Sequence, residues 1–501
     1  MKQTTQDKKN LIYYPLGTVG RDMIYALVSG YLLTYILFTR ELTAGQLWAV
    51  TAIMVFARVF DALNDPIMGN IIESTRSRWG KFKPWLLAGC VSTGGVIIVT
   101  FNSRLQGWPF IVLFGCMYIL YSITYTMSDI SYWGMVPALS SNADMRNNLT
   151  SRATLFAGVG ATAVGVLLPM FTAGKNTIGG NAQTAYGVVA VVIAVLTPLF
   201  ALFTLFGVKE PRDVNLEPKA KVSFKKIIKT ITGNDQLMWI ALIFLIQQIG
   251  NGLITGGIGA TYMYFKFGYE GANYSLFQTI GMMATAVLMI TYPMISRKVR
   301  RKKFMGMMMI VSAVGYLLML VSGLIFPDSL KFWGLTIGYM LGNFGNYSYY
   351  LIMMISIMNT VEYNELNKGT RDEGIITSLR PFITKMASAL FLLITSGIYT
   401  IFGVINITNG ISDAERTANI EIGEAAGNEA LIEAITSEKT TKIAEILKDV
   451  TDGQTNGLLI CMVLIPLVFM FLSYVLYKKK YKLDEDEFER ICKAIEEKKA
   501  N

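Results

Sequence analysis

The sequence predicts an all-α membrane protein with twelve transmembrane helices in two six-helix halves. The 501 residues are 52% hydrophobic and only 16% charged, with a mean hydropathy of +0.43, whereas a soluble domain carries about 25% charge. Apolar runs of about 18 residues or more, long enough to cross a bilayer as helices, recur along the chain. Loops rich in Lys and Arg alternate with loops that have few, as in a chain that crosses the membrane repeatedly.

The apolar runs are predicted to be helices because lipid offers the backbone no other hydrogen-bond partner. The first run follows a polar lead and is too long for a cleavable signal, so it is predicted to be a retained span. If there are twelve spans, all the basic loops lie on one side, which places both termini in the cytoplasm. The predicted spans cover residues 16–39, 46–71, 84–101, 108–137, 152–173, 186–207, 236–262, 272–295, 303–326, 331–358, 375–403 and 457–477.

A basic central loop at 208–235 divides the chain into an N-terminal half at 1–207 and a C-terminal half at 236–477, followed by a cytoplasmic tail at 478–501. In each half a proline near the end of the second span precedes a basic run, which suggests duplication. Six plus six spans with parallel halves is the major facilitator architecture, in which the substrate site lies near the midplane between the halves.

The loop at 404–456 is unusually long and acidic. It predicts one or two short amphipathic helices on the outer face, either as a solvated cap or as a lid over an outer vestibule. The tail at 483–499 predicts a further short helix in the cytoplasm.

The composition argues against enzymatic chemistry. The chain has no histidine, which excludes His-based acid–base catalysis, Ser-His and Cys-His nucleophiles and His metal sites. The four cysteines are scattered without metal-ligand or redox spacing. No cofactor and no nucleic-acid partner is expected, although the net charge is +10, because the positive charge sits in particular loops.

The second span carries Arg58, Asp61 and Asp65 on one helical face. A charge at the centre of a spanning helix costs about 2.5–3.5 kcal/mol, so this face should line a protein interior or a water-filled cavity. One reading is an ion-pair network that only fixes packing. The other is an ion or proton site, because two carboxylates one turn apart bind a hard cation and Asn64 adds an uncharged oxygen.

Two further polar groups lie in the first and fourth spans. Arg21 and Asp22 interrupt an apolar run, either as a satisfied pair or as contacts to a polar substrate. Thr126, Asp129 and Trp133 share a face of the fourth span, where a carboxylate can accept sugar hydroxyls and an indole can pack on a pyranose. An interfacial aromatic anchor is the alternative.

In the second half, Lys385 stands in an apolar stretch four residues after Pro381, and Tyr350 is a candidate cavity aromatic that simple packing also explains. A charged loop contains Glu362, Glu365 and Arg371. These charges can make and break salt bridges between halves, or can simply be solvated.

Four stretches resemble the glycoside–pentoside–hexuronide:cation symporters. They are the segment 58–69, the Arg-Ser-Arg-Trp-Gly-Lys-Phe-Lys-Pro-Trp run at 76–85, the polar aromatic segment 125–133, and Asn-Thr-Val-Glu-Tyr-Asn-Glu at 359–365 together with Lys385. The resemblance covers nearly the whole membrane core but not the loop at 404–456.

The resemblance implies a major facilitator fold and cation-coupled uptake of a sugar by alternating access. It assigns residues to four roles. The cation contacts are Asp61, Asn64, Asp65 and Thr126, with Na⁺ or H⁺ as the coupling ion and Arg58 as the charge-balancing partner. The substrate contacts are Arg21, Asp22, Asp129, Trp133, Arg152, Tyr350 and Lys385. The cytoplasmic gate is Arg146, Glu362, Glu365 and Arg371.

The chain departs from the family pattern at three of these positions. Arg21 stands where a lysine is typical, Tyr350 stands where a tryptophan is found, and Arg152 matches the fifth-span arginine only through a gap, since a neighbouring register places Ala153 there. These differences bear on the identity of the sugar more than on the mechanism.

The sequence therefore predicts a monomeric multi-pass protein of the cytoplasmic membrane that cotransports a sugar with a monovalent cation. It leaves open which sugar is carried, whether this is a neutral glycoside or a hexuronide, and whether sodium, lithium or a proton drives uptake. A transporter of a non-sugar amphiphile such as a lysolipid is the alternative, and a membrane enzyme or sensor is a third.

Overall fold

A computed structural model describes residues 5–140, 143–209, 229–296, 298–370, 372–425 and 427–500, and the regular structure within them is helical throughout. This confirms the predicted all-α class. The α-helices are α1 Thr5–Leu16, α2 Val19–Thr39, α3 Ala44–Ser74, α4 Lys83–Asn102, α5 Gly107–Leu139, α6 Ala143–Thr172, α7 Ala182–Gly207, α8 Asp235–Leu253, α9 Gly259–Phe267, α10 Gly271–Ser296, α11 Arg301–Ile325, α12 Asp328–Lys368, α13 Glu373–Ile401, α14 Val404–Glu424, α15 Glu429–Lys448, α16 Asp452–Lys480 and α17 Glu485–Ala500.

Polar residues at the helix ends explain where several of these helices begin and stop. Thr43 and Gln46 form a capping box that starts α3, and Asn181 and Asn234 cap α7 and α8 through their side-chain oxygens. At the other end of α12, Gly369 adopts a left-handed conformation with φ of 70°. Each cap satisfies backbone groups that the helix itself leaves unpaired.

Ten stretches within the described residues are long and apolar enough to cross a membrane. The predicted eighth and tenth spans coincide with α10 and α12, helices of 26 and 41 residues, which are not among the ten. The predicted seventh span is α8 and α9 joined through a π-helical turn at Ile254–Ile258. The ten stretches are Thr5–Thr39, Ala44–Asp61, Lys83–Asn102, Gly107–Leu139, Met145–Thr172, Ala182–Gly207, Asp235–Leu253, Arg301–Ile325, Leu379–Ile401 and Asp452–Lys480.

The chain forms two compact units. The first consists of residues 1–217, 263–276 and 399–451, and the second of residues 218–262, 277–398 and 452–501. The first unit therefore holds the predicted N-terminal half together with two segments from later in the chain. The predicted tail helix is confirmed as α17, while much of the predicted central loop lies outside the described residues.

A close helix contact fixes the position of α5 within the first unit. Gly89 on α4 lies against Ser128 on α5, and a Cβ at this glycine would come within 2.5 Å of the Ser128 amide nitrogen. Small residues allow such close approach between membrane helices. The contact holds the middle of α5 in place, and this part of the helix carries the polar residues described below.

The predicted amphipathic helices at 404–456 are confirmed as α14 and α15. They pack on each other through a small apolar cluster of Ala418, Ala425 and Ile435. Both helices belong to the first unit, although the chain on either side of them belongs to the second. We call α14 and α15 the inserted helix pair.

A buried ion pair attaches the inserted helix pair to the start of α7. The Glu415 carboxylate accepts a hydrogen bond from the Ala182 amide at 2.7 Å, and the Lys439 ammonium donates to the Gly180 carbonyl at 2.8 Å and to Glu415 at 3.2 Å. Both side chains are almost completely buried. Burial raises the pKa of Glu415 above its ordinary value, although Lys439 and the Ala182 amide favour the charged form.

Further polar contacts extend this attachment to the end of α2. The Asn409 amide pairs with the backbone of Leu42 in both directions, accepting from its N–H at 2.8 Å and donating to its carbonyl at 2.9 Å. Arg416 forms a half-exposed ion pair with Glu41 at 3.0 Å. The inserted helix pair is therefore bonded to the rest of the first unit at several points.

We expect Glu415→Ala to lower stability strongly, because it leaves the Lys439 ammonium buried without its partner. Breaking a buried ion pair on one side typically costs about 3–5 kcal/mol, whereas replacing both partners with apolar residues is often neutral. The double variant Glu415→Leu/Lys439→Met should therefore melt closer to the parent protein than Glu415→Ala does. Thermal denaturation of the purified protein in detergent measures both.

Arg416→Ala is the matched control, because its pair with Glu41 is partly exposed and such pairs contribute at most about 1 kcal/mol. A melting temperature for Glu415→Ala as high as that of Arg416→Ala would show that the buried pair does not stabilise the inserted helices.

Candidate functional site

Two carboxylates on α3 are bonded to two hydroxyls on α5. The Ser122 hydroxyl donates to Asp61, and the Thr126 hydroxyl donates to Asp65 at 3.2 Å. Asp61 is 5% exposed and Thr126 4% exposed. Thr126, a predicted cation contact, therefore lies beside the carboxylate pair, and Ser122, which the sequence analysis missed, lies one turn before Thr126 on the same face of α5.

The charge balance of this group suits a monovalent cation. Arg58, the predicted charge-balancing partner, lies on the same helix with its Nη1 atom 3.7 Å from the Asp61 carboxylate. Among the described contacts, two carboxylates stand against one guanidinium. Asn64 is buried beside them, and among the described residues its Nδ2 atom has no hydrogen-bond partner. Carboxylate, amide and hydroxyl oxygens are the ligands that hard cations prefer.

A second charged group centres on Arg21 of α2. Its guanidinium lies 2.9 Å from Asp22 and 2.7 Å from Asp129 of α5, and it packs over the rings of Tyr132 at 4.7 Å and Trp133 at 5.4 Å. The Arg21 side chain is only 3% exposed. Cation–π contacts with desolvated rings add up to about 2 kcal/mol, so the guanidinium is held on several sides.

The two carboxylates that bind Arg21 differ in accessibility. The Asp129 side chain is 40% exposed and that of Asp22 is 17% exposed, and Asp22 also accepts a hydrogen bond from the Thr18 hydroxyl. Trp133 is half-buried. Asp129 is thus partly accessible beside an aromatic face, and a carboxylate next to an indole can recognise the hydroxyls and the apolar face of a sugar.

One face of α5 connects the two groups. Ser122, Thr126, Asp129 and Trp133 follow one another at spacings of four, three and four residues, which keeps them on the same side of the helix. The first two bind the α3 carboxylates, and Asp129 binds Arg21. The two hydroxyls that bond to the carboxylate pair are therefore only one or two helical turns from Asp129, which binds Arg21.

The predicted substrate contact Arg152 has a different setting. Its side chain is exposed on α6, and within the described part of the chain it donates to the Leu11 carbonyl at 3.2 Å, with no bond to Asp22 or Asp129. Arg146, the predicted gate residue on the same helix, is half-buried. The first unit thus brings together Arg21, Asp22, Asp129 and Trp133, but not Arg152.

In the second unit, Tyr350 is paired with a charge that the sequence analysis missed. The Arg380 guanidinium donates to the Tyr350 hydroxyl at 2.5 Å and lies 5.8 Å from the centre of its ring. Arg380 stands in an apolar span next to Pro381, so the argument that singled out Lys385 applied to it equally. Lys385 lies five residues further along α13 and is half-buried.

The predicted gate acids lie near the end of α12. Glu362 and Glu365 are half-buried in the last two turns of that helix. Arg371, their predicted partner, lies outside the described residues. The assignment of these residues to a gate stays a prediction.

Comparison with known proteins identifies the family. The model of the family described as "MFS/sugar transport protein" matches residues 13–424. The chain belongs to this family. The match includes the carboxylate pair, the Arg21 group and the residues discussed in the second unit. It confirms the predicted sugar symporter family of the major facilitator superfamily and a multi-pass protein of the cell membrane.

Several curated relatives carry the names of sugar transporters. The chain is 28% identical to "Lactose permease" of Leuconostoc lactis, over 84% of this chain and 66% of that protein. It is 27% identical to "Lactose permease" of Lactobacillus helveticus, over 97% and 71%, and 25% identical to "Raffinose carrier protein" of Pediococcus pentosaceus, over 82% and 64%. The chain thus spans about two thirds of the length of these relatives.

Solved structures of low identity share the fold. The chain superimposes on a bacterial homologue of the human lysosomal transporter Spinster with a TM-score of 0.60 at 14% identity, covering 96% of this chain and 99% of the other. A D-xylose–proton symporter gives a TM-score of 0.53 at 13% identity, covering 90% and 99%. These matches establish the major facilitator fold.

We expect Arg21→Gln to destabilise the protein, because it leaves Asp22 and Asp129 facing each other without the cation between them. The loss should fall between the roughly 1 kcal/mol of an exposed pair and the 3–5 kcal/mol of a fully buried one, since Asp129 is partly exposed. Arg21→Lys keeps the charge and should retain most of the stability. Thermal denaturation in detergent compares the two variants with the parent.

Arg300→Gln serves as control, because its pair with Asp486 is exposed on both sides. Equal melting temperatures for Arg21→Gln and Arg300→Gln would contradict a stabilising role for the Arg21 group.

Proposed function

We propose that the protein is a cation-coupled symporter that takes up a glycoside or an oligosaccharide by alternating access. The coupling ion is sodium or a proton, bound at Asp61 and Asp65. The sugar binds at Arg21, Asp22, Asp129 and Trp133. Both are substrates that the protein releases on the far side of the membrane.

The proposal includes the full predicted topology. Twelve spans form two halves of six, with both termini in the cytoplasm. The basic runs that follow the second and eighth predicted spans support this orientation, because positively charged loops remain on the cytoplasmic side. The inserted helix pair, which follows the eleventh predicted span, then lies outside.

The observation that carries the proposal is the shared face of α5. Its hydroxyls at Ser122 and Thr126 bond to the α3 carboxylates, and its Asp129 bonds to Arg21. Two carboxylates and a balancing arginine lie on one span, and each charge is costly there, which supports a use beyond packing. Here one helix joins a set of oxygens that suits a cation to a set that suits sugar hydroxyls.

Coupling follows from this connection. A cation between Asp61 and Asp65 neutralises the excess negative charge and takes the oxygens that now accept from Ser122 and Thr126. The bonds that hold α5 are thereby rearranged, and with them the position of Asp129. If the cation raises the affinity for the sugar, the sugar must raise the affinity for the cation by the same factor.

The names of the relatives support a sugar as substrate, with lactose, raffinose and isoprimeverose in their titles. The "Putative glycoside/cation symporter YagG" of Escherichia coli, 25% identical over 76% of this chain and 80% of that protein, supports coupling to a cation. The site itself offers carboxylates as acceptors and an indole face, which suit a neutral sugar ring.

We expect Asp61→Cys and Asp65→Cys to abolish concentrative uptake, because each removes one of the carboxylates that bind the cation. Exchange of internal for external sugar should persist, since it needs no net cation movement. Uptake and exchange in proteoliposomes measure the two activities. Glu73→Cys, an exposed carboxylate in the last turn of the same helix, is the control and should behave as the parent. Full cation-driven accumulation in either Asp variant would refute the assignment.

We expect uptake of lactose, raffinose or isoprimeverose into proteoliposomes to rise under an imposed inward sodium or proton gradient. The gradient that increases uptake identifies the coupling ion, because a gradient of an ion that is not cotransported cannot drive uptake. A response of uptake to neither gradient would contradict coupled transport. Competition by lysolipids, together with failure of all sugars to compete, would instead favour a carrier of amphiphiles.

A further inference from the structure

Four side-chain amides form a continuous hydrogen-bond relay between α8 and α12 in the second unit. Gln248 donates to the Gln247 carbonyl at 2.9 Å, Gln247 donates to the Asn346 carbonyl oxygen at 2.6 Å, and Asn346 donates to the Asn251 carbonyl at 2.6 Å. The two central amides, Gln247 and Asn346, are 2% and 4% exposed. We call these four residues the amide relay.

The relay runs in one direction and ends in open hydrogen-bonding groups. Each of the first three amides donates an N–H to the side-chain carbonyl of the next amide. The side-chain carbonyl oxygen of Gln248 and the amide N–H groups of Asn251 are not used within the relay. Within the described residues, neither group has a protein partner. Gln248 and Asn251 are half-buried, so both ends are partly accessible. Hydrogen bonds in series polarise one another, which strengthens the terminal acceptor and donor.

If the relay only joined two helices, the hydrogen-bonding groups at its two ends would also be expected to have partners in the protein. Asn343, one turn before Asn346 on α12, shows that alternative. It donates to the Gly281 carbonyl at 3.1 Å and to the Thr285 hydroxyl at 3.5 Å on α10, and it is 2% exposed. Asn343 thus joins α12 to α10 by donating its amide N–H groups, whereas Asn346 both donates and accepts within the relay.

The spacing of the open ends fits the hydroxyls of one sugar ring. Gln248 and Asn251 are three residues apart on α8 and therefore neighbours on one helical face, with about 5–6 Å between Cβ atoms. A hydroxyl is both donor and acceptor, so one hydroxyl can donate to the Gln248 oxygen while another accepts from Asn251. The relay carries no charge and so suits neutral groups.

Aromatic and backbone features beside the relay agree with a binding role. Tyr350 follows Asn346 by one turn, is half-buried, and packs against Phe244 with 5.9 Å between ring centres. The π-helical turn at Ile254–Ile258 begins directly after α8, and such turns occur frequently at functional sites. The Thr255 hydroxyl in this turn donates to the backbone carbonyl of Asn251 at 3.5 Å.

We propose that Gln248 and Asn251 bind hydroxyls of a neutral sugar unit, with Gln247 and Asn346 as positioning residues that align them. This inference rests on the proposed sugar transport and adds a substrate subsite in the second unit. The relay then recognises the sugar's hydroxyls through uncharged groups alone.

The test compares Gln248→Ala and Asn251→Ala with the parent in proteoliposomes, using radiolabelled lactose, raffinose and isoprimeverose. Each variant should raise the KM for the transported sugar by up to about tenfold, the effect of one lost hydrogen bond. The maximal rate under a saturating gradient and the dependence on the coupling ion should be retained. Asn346→Ala should raise KM as well, through misalignment of Asn251.

Two controls separate binding from structure. Asn343→Ala removes a buried amide of the same helix outside the relay and should leave KM unchanged. Monodeoxy derivatives of the transported sugar supply a readout that a purely structural role would not move. The parent should discriminate against the derivative that lacks the contacted hydroxyl, and Gln248→Ala or Asn251→Ala should lose that discrimination.

The outcomes distinguish the two proposals. Uptake by the parent with unchanged KM in both alanine variants would overturn the subsite and leave sugar transport standing. An equal rise in KM for Asn343→Ala would also overturn it, since the effect would then reflect packing. A parent protein that takes up no sugar under any gradient would overturn the proposed function and the subsite together.

Discussion

Charge inside a lipid bilayer must be compensated within the protein, and the candidate site depends on this requirement. Arg21 is enclosed by Asp22, Asp129 and two aromatic rings, and Arg58 accompanies the α3 carboxylates. Among the described contacts, each group sets two carboxylates against one guanidinium. The same constraint that makes these residues costly to bury therefore also selects what can bind beside them.

Helix α5 gives this constraint a structural consequence. Gly89 lets α4 approach closely and fixes the middle of α5, while hydroxyls and a carboxylate on one face of α5 bond to α3 and α2. The second unit contributes groups of another kind, with the neutral amide relay and the Arg380–Tyr350 pair. Because the rigid helix α5 is bonded to both α3 and α2, it is a simple means of making the proposed cation binding and sugar binding depend on each other.

Local patterns in the sequence predicted much of this arrangement. Helical spacing identified the Arg58, Asp61 and Asp65 face, and the polar run at 125–133 identified Thr126, Asp129 and Trp133. Contacts between distant segments were not predictable, because no periodicity reveals that Glu415 bonds to Ala182 across 233 residues. Arg380 and Ser122 were missed for a different reason. Each had a local signal. Arg380 is a charge within a span, and Ser122 is a hydroxyl one turn from Thr126.

The position of Arg21 between two carboxylates has a consequence for turnover. In the proposed function, a sugar hydroxyl that takes the Asp129 oxygen bonded to the guanidinium must share or displace that bond, so binding there exchanges one set of hydrogen bonds for another with a modest net gain. A site of this kind would release its cargo readily. When the site is empty, Asp129 pairs with Arg21 again. The empty carrier can then return to its starting conformation without unpaired carboxylates inside the bilayer.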